Sequence, residues 1–569
     1  MYPLIIRIAK IIIPALFLAL NLFAQAPELR EKQDYAFIYG LYKDGMYDLA
    51  YDEINRFIEK YPGSQNIVDA SFIKAECLFK LGKYTAAQNE YQSFIKNYPS
   101  SMLTDDAYFR IGESFYKDSK FNEAIHAYKT VIDKYPESEL SGEAAYWIGE
   151  SNLKLSEYVE ALKFYRLSHE NYPNNKLANY ALYSVGWTQQ LEGDFRDAIS
   201  TYESFLIKYP DDELKSAVNV RIGECYFHLN DFEKALTELT KIRSKITDSS
   251  SLASITYLIA ESHYNLKQYD SAEKEYKYYI SNYAKFENFR DAKYALGWTY
   301  LNQKKYKEAA LQFSEISNSS DDLSQSALLR EGYAYKLLGD KEKAKRIFID
   351  LIKKFEAGKF TDNAYYELGM LFFEEKNYKE AQTNFTSVTR KFKDSDVLQD
   401  SYRMLGESLI ALKEYSAAAD SFDQLLKLDN LTKDNAYFGA YNLAWCNLKA
   451  KKYIDAQKQF VNFLKLYPAG ELREEGEFWL SESYFLSGDF RNSMQHYAKF
   501  LNTYKNSKKY PEALYGLAWS YFKANEFSNA AQTFEEYTEK YPNSEFTYDS
   551  YLRLAECYYN TKNHEKSAG

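Results

Sequence analysis

The sequence predicts an all-α solenoid of about 14 stacked helix-turn-helix units, and three observations predict it. One motif returns at a nearly constant period along most of the 569 residues. Gly (22) and Pro (11) are scarce, which argues against turn-dense β architecture, collagen and flexible linkers. Tyr (56) and Phe (37) raise the aromatic share to 17%, and disordered chains are poor in aromatics. At roughly 150 residues per domain, length alone would give about four domains; the repeat replaces that prior.

The chain opens with the layout of an export signal. Arg7 and Lys10 are the charges of the first 26 residues, and Ile11 to Phe23 is almost wholly apolar. That run is short of the ~20 residues a spanning helix needs. Small residues follow at Ala24 and Ala26, as in a secretory signal peptide. Pro27 sits poorly just after a cut, so cleavage after Ala24 is the alternative to cleavage after Ala26. An uncleaved anchor helix is the rival reading. No cysteine precedes Cys77, so no lipid is expected on a cysteine near the mature N-terminus. No later segment is apolar enough to span a membrane, and a periplasmic or outer-membrane-associated location is expected. The formal net charge is −10, and losing Arg7 and Lys10 leaves −12. Such a balance excludes the broad basic footprint that nucleic acid would want.

An aromatic followed three residues later by a small residue anchors each unit. The anchors are Tyr47, Tyr84, Phe121, Tyr158, Phe195, Phe232, Tyr269, Tyr306, Lys341, Tyr378, Tyr415, Tyr453, Phe490, Phe527 and His564. Twelve of the 14 gaps are 37 residues; the others are 35 (306 to 341) and 38 (415 to 453). Chance does not hold a register over that many intervals, so the repeat decides the fold.

Each unit reads as two helices. In residues 70–101, Ala70–Lys80 has helical spacing, Leu81-Gly82-Lys83 is the turn, and Tyr84–Asn97 is the second helix. Tyr98-Pro99 ends it, because proline cannot continue a helix. Tyr-Pro recurs at Pro62, Pro136, Pro173, Pro210, Pro468 and Pro542. Capping types follow at Ser64, Ser101, Ser138, Asn175, Asp212 and Ser544, where they can accept N–H groups of the next helix.

Three internal columns fit close helix packing. Nine residues before the anchor stands a small residue, for example Gly112, Gly149, Gly186 or Ala444. Three after it stands alanine in nearly every unit, and seven after it a ring such as Tyr91, Tyr165, Phe313 or Phe460. Each buried ring contributes about 1.5–3 kcal/mol. One hairpin cannot hide both of its faces, so neighbours must stack.

These columns, with the Gly turn and the terminal Pro, resemble the tetratricopeptide repeat over about residues 33–569. The longer period and the Lys-Tyr-Pro-x-Ser link are similar to repeats of BamD/YbgF-type bacterial envelope proteins. The resemblance implies a right-handed superhelix and a protein-binding role, without a specific pathway. HEAT-type repeats have a comparable length but lack the small, aromatic and alanine columns.

Little in the sequence points to chemistry. Cys77, Cys225, Cys446 and Cys557 all lie seven residues before an anchor, where other units carry Ser, Thr or Ala, so they read as small packing residues. The closest pair is three repeats apart, on the order of tens of ångströms, too far for a disulfide. The six histidines fall in six different repeats without metal-ligand spacing. No phosphate loop, nucleophile elbow or calcium loop occurs. No cofactor, no metal and no catalysis are expected.

The expected working surface lies on the first helices, at offsets −15, −12, −8 and −5 from the anchor, which share one face. The resemblance implies that this face lines a concave groove. Offset −12 carries Tyr146, Tyr183, Tyr257 and Tyr294 among others. Offset −8 alternates between Glu, as at Glu113, Glu150, Glu224 and Glu261, and Trp, at Trp187, Trp298, Trp445 and Trp519. Offset −15 is often acidic. The structural alternative is that Tyr packs on the next repeat and Glu caps a neighbour. A flat ring on a solvent-facing column anchors a partner, so an extended or basic protein segment is expected, or else a sugar chain.

Two links break the pattern. Residues 246–251 replace a Tyr-Pro step, and residues 317–326 precede the short interval, after which Lys341 is the anchor and Glu331 replaces an Ile or Leu. A bend or hinge is expected there. The expected layout is a signal at 1–26, a first part of the array at 27–316, a Ser/Asn/Asp-rich seam at 317–326, and a second part at 327–569. The last repeat looks incomplete, so the chain reads as truncated or continuing. The leading expectation is a non-enzymatic binding scaffold of the bacterial periplasm serving envelope assembly or maintenance. The alternatives are a polysaccharide-handling protein and an enzyme on a helical toroid.

Overall fold

Every anchor from Tyr47 to Phe527 is the first residue of a second helix, from Tyr47–Lys60 to Phe527–Lys540. The computed structural model describes residues 28–563 and Lys566. The expected signal at 1–26 and the anchor His564 lie outside the described residues. Among the described residues there are 29 α-helices, one π-helical turn (Leu167–Asn171) and no strand. Each helix packs mainly on its neighbours in sequence, and next-but-one contacts join first helices to first helices, as Ser141–Lys154 to Ala178–Glu192. The chain divides into two compact units, with the boundary between Phe289 and Arg290.

The turn inside each hairpin rests on one backbone conformation. The residue two before the anchor is left-handed throughout: Gly82 has φ 74°, Asn230 59° and Lys304 61°. A left-handed residue ends the first helix and frees its last carbonyls to accept from the turn: Lys83 N donates to Leu78 O at 2.9 Å. Where Lys or Asn takes the place of Gly, the conformation costs roughly 1 kcal/mol.

Between hairpins, the capping residues act one step earlier than the sequence implied. Ser101 Oγ accepts Leu103 N at 3.2 Å, Ser138 Oγ accepts Leu140 N at 3.1 Å, and Asp212 Oδ1 accepts Leu214 N at 2.8 Å. They therefore hold the turn residue before the helix rather than the helix's own N–H groups. True side-chain N-caps occur at Asp248, Asp321 and Thr432, each before a 17-residue first helix. Two of these, Asp248 and Asp321, lie within the irregular links noted above. The third link, at 427–432, is equally irregular and lies in the 38-residue interval.

The core runs through the hairpins. Where a ring stands seven after the anchor it is fully buried, from Tyr91 through Tyr165, Phe313 and Phe460 to Phe534, and Ile54 and Leu239 fill the same place in two units. The small column makes room for it: a Cβ on Gly149 would stand 2.6 Å from the Tyr165 ring.

Candidate binding site on the first helices

All 12 sequence-predicted site residues lie on first helices and are half-buried. The fold engages most of them internally. Glu150 Oε1 accepts the Tyr165 hydroxyl at 2.7 Å, and Glu261 Oε1 accepts that of Tyr276 at 2.6 Å. Glu113 takes the guanidinium of Arg110, and Glu224 that of Arg221 at 2.7 Å. The offset −8 carboxylates are thus partnered by a second-helix tyrosine or by an arginine three residues back. This is the structural alternative for that column, and its signal was the tyrosine 15 residues downstream.

The offset −12 rings lean on the buried ring of their own hairpin. Tyr146 lies 5.7 Å from Tyr165, Tyr183 6.0 Å from Tyr202, Tyr257 6.4 Å from Tyr276 and Tyr294 5.5 Å from Phe313. Their hydroxyls reach across to the next repeat: Tyr294 Oη is 2.8 Å from Ser326 Oγ, and Arg221 Nε donates to Tyr183 Oη at 3.3 Å. Farther along, Tyr441 donates to Glu475 and Tyr515 to Asp549. Burial, with the Glu150 charge adding to it, holds the Tyr146 phenol well above its ordinary pKa.

The tryptophans are covered by cations. The Arg221 guanidinium lies 4.1 Å from the Trp187 ring centre, Arg330 4.7 Å from Trp298 and Arg553 4.9 Å from Trp519. Each arginine comes from the following repeat, eleven residues before its anchor. Lys449 lies 5.2 Å from Trp445. A cation over a ring is worth about 0.5–2 kcal/mol, so these rings also fix the register between repeats.

One stretch of this face opens into a cleft. About 580 Å³ is enclosed by Phe478, Trp479, Phe485, Tyr515, Trp519 and Phe546, with Glu482, Lys509, Glu512 and Lys523 at the sides. Helices Arg473–Leu486 and Tyr510–Lys523 form its walls. Tyr515 and Phe546 stack at 4.6 Å and 17°. Tyr497 donates to Glu482, whose carboxyl burial nevertheless pushes above its ordinary value. Of the expected residues this cleft contains Trp519. Trp479 was missed because it stands at offset −11, outside the four columns considered.

A second, polar cavity of about 460 Å³ adjoins the first irregular link. Tyr183, Glu213, Arg221, Glu224, Lys245 and Asp248 are among its lining residues. The segment 317–326 is divided: 317–321 is a short loop, and 322–326 begins the helix Asp322–Leu338 with Ser324, Gln325 and Ser326 buried. The four cysteines are buried and unpaired. Burial pushes the thiols of Cys77, Cys225 and Cys446 up to about 12. Among the described residues no three His, Cys, Asp or Glu side chains are grouped to hold a metal ion.

Stacked hairpins with a buried ring and a small-residue column define the chain as an all-α repeat solenoid. Its repeats are tetratricopeptide repeats. Family models of that description match residues 180–212, 326–356, 363–395 and 512–544, and, in a second form, 109–176 and 257–322. A model described as an outer membrane lipoprotein, YfiO, matches residues 15–113. No curated protein matches the chain. Solved structures similar to it include a tetratricopeptide repeat protein from Parabacteroides merdae, at 18% identity and TM-score 0.32, covering 47% of this chain and 98% of that one. Naa15/Naa10 bound to HypK matches at 13% identity and TM-score 0.30, covering 95% and 99%. The Cut9–Hcn1 hetero-tetramer of the APC/C matches at 14% identity and TM-score 0.27, covering 93% and 96%. The repeats and the lipoprotein-type match support a protein-interaction scaffold. No helix among the described residues is long and apolar enough to cross a membrane.

Proposed function

We propose that the chain is a non-enzymatic scaffold of the bacterial envelope. It holds extended segments of partner proteins along the first-helix face, in an exported, outer-membrane-associated setting that serves envelope assembly or maintenance. The observation that carries this reading is the aromatic cleft between Trp479 and Trp519, which is open, largely apolar and built on two rigid helices. Buried aromatic anchors of this kind dominate the energetics of protein interfaces. Trp187, Trp298 and Trp445 continue the same column along the array. The match of residues 15–113 to an outer-membrane lipoprotein model supports the envelope setting.

The test is retention of envelope proteins by the full chain, with Trp479→Ala and Trp519→Ala as the altered forms. Loss of retained proteins in these variants, reversed by competing peptide, supports the reading. Competition by glycan instead of peptide would move the chain to the polysaccharide-handling class.

A further inference from the structure

We infer that the cleft around Trp479 and Trp519 takes an acidic peptide segment carrying an aliphatic or aromatic anchor. The inference rests on the scaffold reading and adds the charge class of the partner. It departs from the basic segment expected from the sequence, because the cleft's carboxylates are partnered within the fold while Lys523 at the cleft and Lys449 beside it are in no ion pair among the described residues.

Lys449 Nζ stands 4.7 Å from the Trp479 ring centre and 5.2 Å from that of Trp445. Lys509 Nζ lies 5.4 Å from Phe478 and 5.8 Å from Trp479. Lys523 Nζ lies 5.2 Å from Trp519. Lys509 and Lys523 therefore line one apolar cleft, and Lys449 stands beside it near the Trp479 ring, in a chain whose net charge is −10. The cleft's two carboxylates are occupied: Glu512 lies 3.4 Å from Lys509, and Glu482 accepts from Tyr497. Arg553, on the far side of Trp519, is paired with Glu556 at 2.8 Å and Asp549 at 3.4 Å. Lys449 and Lys523 have no carboxylate within ion-pair distance among the described residues.

The rings hold these lysine side chains extended, so part of the ordering cost of an ion pair is already met. Carboxylates of an incoming segment would complete two ion pairs at the rim while its apolar side chain enters between Phe485, Tyr515 and Phe546. A basic segment would bring like charge against three ammonium groups. A neutral sugar would compete with those cations for the indole faces.

The experiment uses the full chain and three short labelled peptides, read by fluorescence anisotropy. One has acidic residues flanking a central Leu-Phe pair, the second has Lys in place of every acid, and the third keeps the acids with Ser in place of Leu-Phe. The acidic anchored peptide is expected to bind tightest and to weaken as salt rises. The double variant Lys449→Glu with Lys523→Glu is expected to lose about tenfold in affinity for it. Both lysines are exposed, so the fold should persist, which circular dichroism checks. Equal or tighter binding of the basic peptide, or an unchanged affinity in the double variant, overturns the inference. So does binding of labelled polygalacturonate without any peptide binding. Retention of envelope proteins on the same preparation keeps the two readings apart. If retention persists while the acidic peptide does not bind, the charge class falls and the scaffold stands; if both are lost, both fall.

Discussion

The Tyr165 hydroxyl donates a hydrogen bond to Glu150 Oε1 at 2.7 Å, from the second helix of a hairpin to the first. The same pair recurs 15 residues apart as Tyr91–Glu76, Tyr276–Glu261 and Tyr497–Glu482. Where Trp replaces Glu, the buried ring is Phe313, Phe460 or Phe534, which needs no acceptor. Trp187 is paired instead with Tyr202, whose hydroxyl turns to Gln190 at 3.4 Å. Glu407 and Glu224 face Phe422 and Leu239 and bind Arg403 and Arg221. Four of the offset −8 glutamates thus accept a buried hydroxyl, whereas Glu113 binds Arg110 and leaves the Tyr128 hydroxyl without a partner.

Glu150→Ala leaves the buried Tyr165 hydroxyl without its acceptor, a cost of about 1–3 kcal/mol. Unfolding of a repeat array is local, so amide exchange is the fitting measure. Protection in Ser141–Lys154 and Tyr158–Arg166 should fall, and adding Tyr165→Phe should restore part of it. A loss in the double variant equal to the sum of the two single losses would show that the pair is not coupled.

Arg221 joins two repeats through Trp187 and Glu224. Arg221→Ala should lower protection in Ala178–Glu192 and Lys215–His228 by about 1 kcal/mol. Trp187→Leu added to it should cost less than it does alone. Strict additivity would count against the ring as the partner.

Glu331 is 6% exposed in the helix Asp322–Leu338. Burial pushes its carboxyl from an ordinary 4.5 up to about 7, with Lys343 opposing and Asp350 adding. Between those values the folded chain keeps a proton that the unfolded chain has released, so stability falls as pH rises and levels off above about 7. The full effect is at most about 3 kcal/mol. Glu331→Gln should stabilise this helix at about pH 8 and much less at about pH 5, by amide exchange. The same gain at both pH values would place the effect elsewhere.

Arg290 closes the loop at 317–321. It gives two N–H groups to Asp321, at 2.6 and 3.0 Å, and one to Ser324 Oγ at 2.6 Å, while Asp321 caps the next helix through Ser324 N. Arg290→Ala should speed limited proteolysis in this loop by about tenfold. An unchanged cleavage rate would show that the arginine does not govern its opening.

The repeat was legible because one period governs the turn, the small column and the buried ring together. Gly149 and Tyr165 can be matched on paper once the anchors are set. The cation cover was not legible: Arg221, Arg330 and Arg553 belong to the repeat after the ring they cover, and the columns were read within single units. The cleft escaped for a related reason. Trp479 sits one helical step from the column that was followed, and Lys449 meets it from the preceding repeat. The third irregular link is marked in the sequence by the 38-residue interval alone, because Thr432 lacks a distinctive run around it.

The most direct test of the account places a photo-cross-linking residue at single exposed sites of the full chain in cells that express it. Positions 449 and 523 lie on first helices, and positions 207 and 454 on second helices. The account predicts adducts to another protein from 449 and 523 and few from 207 and 454. Adducts confined to 207 and 454, or adducts to glycan alone, would contradict it.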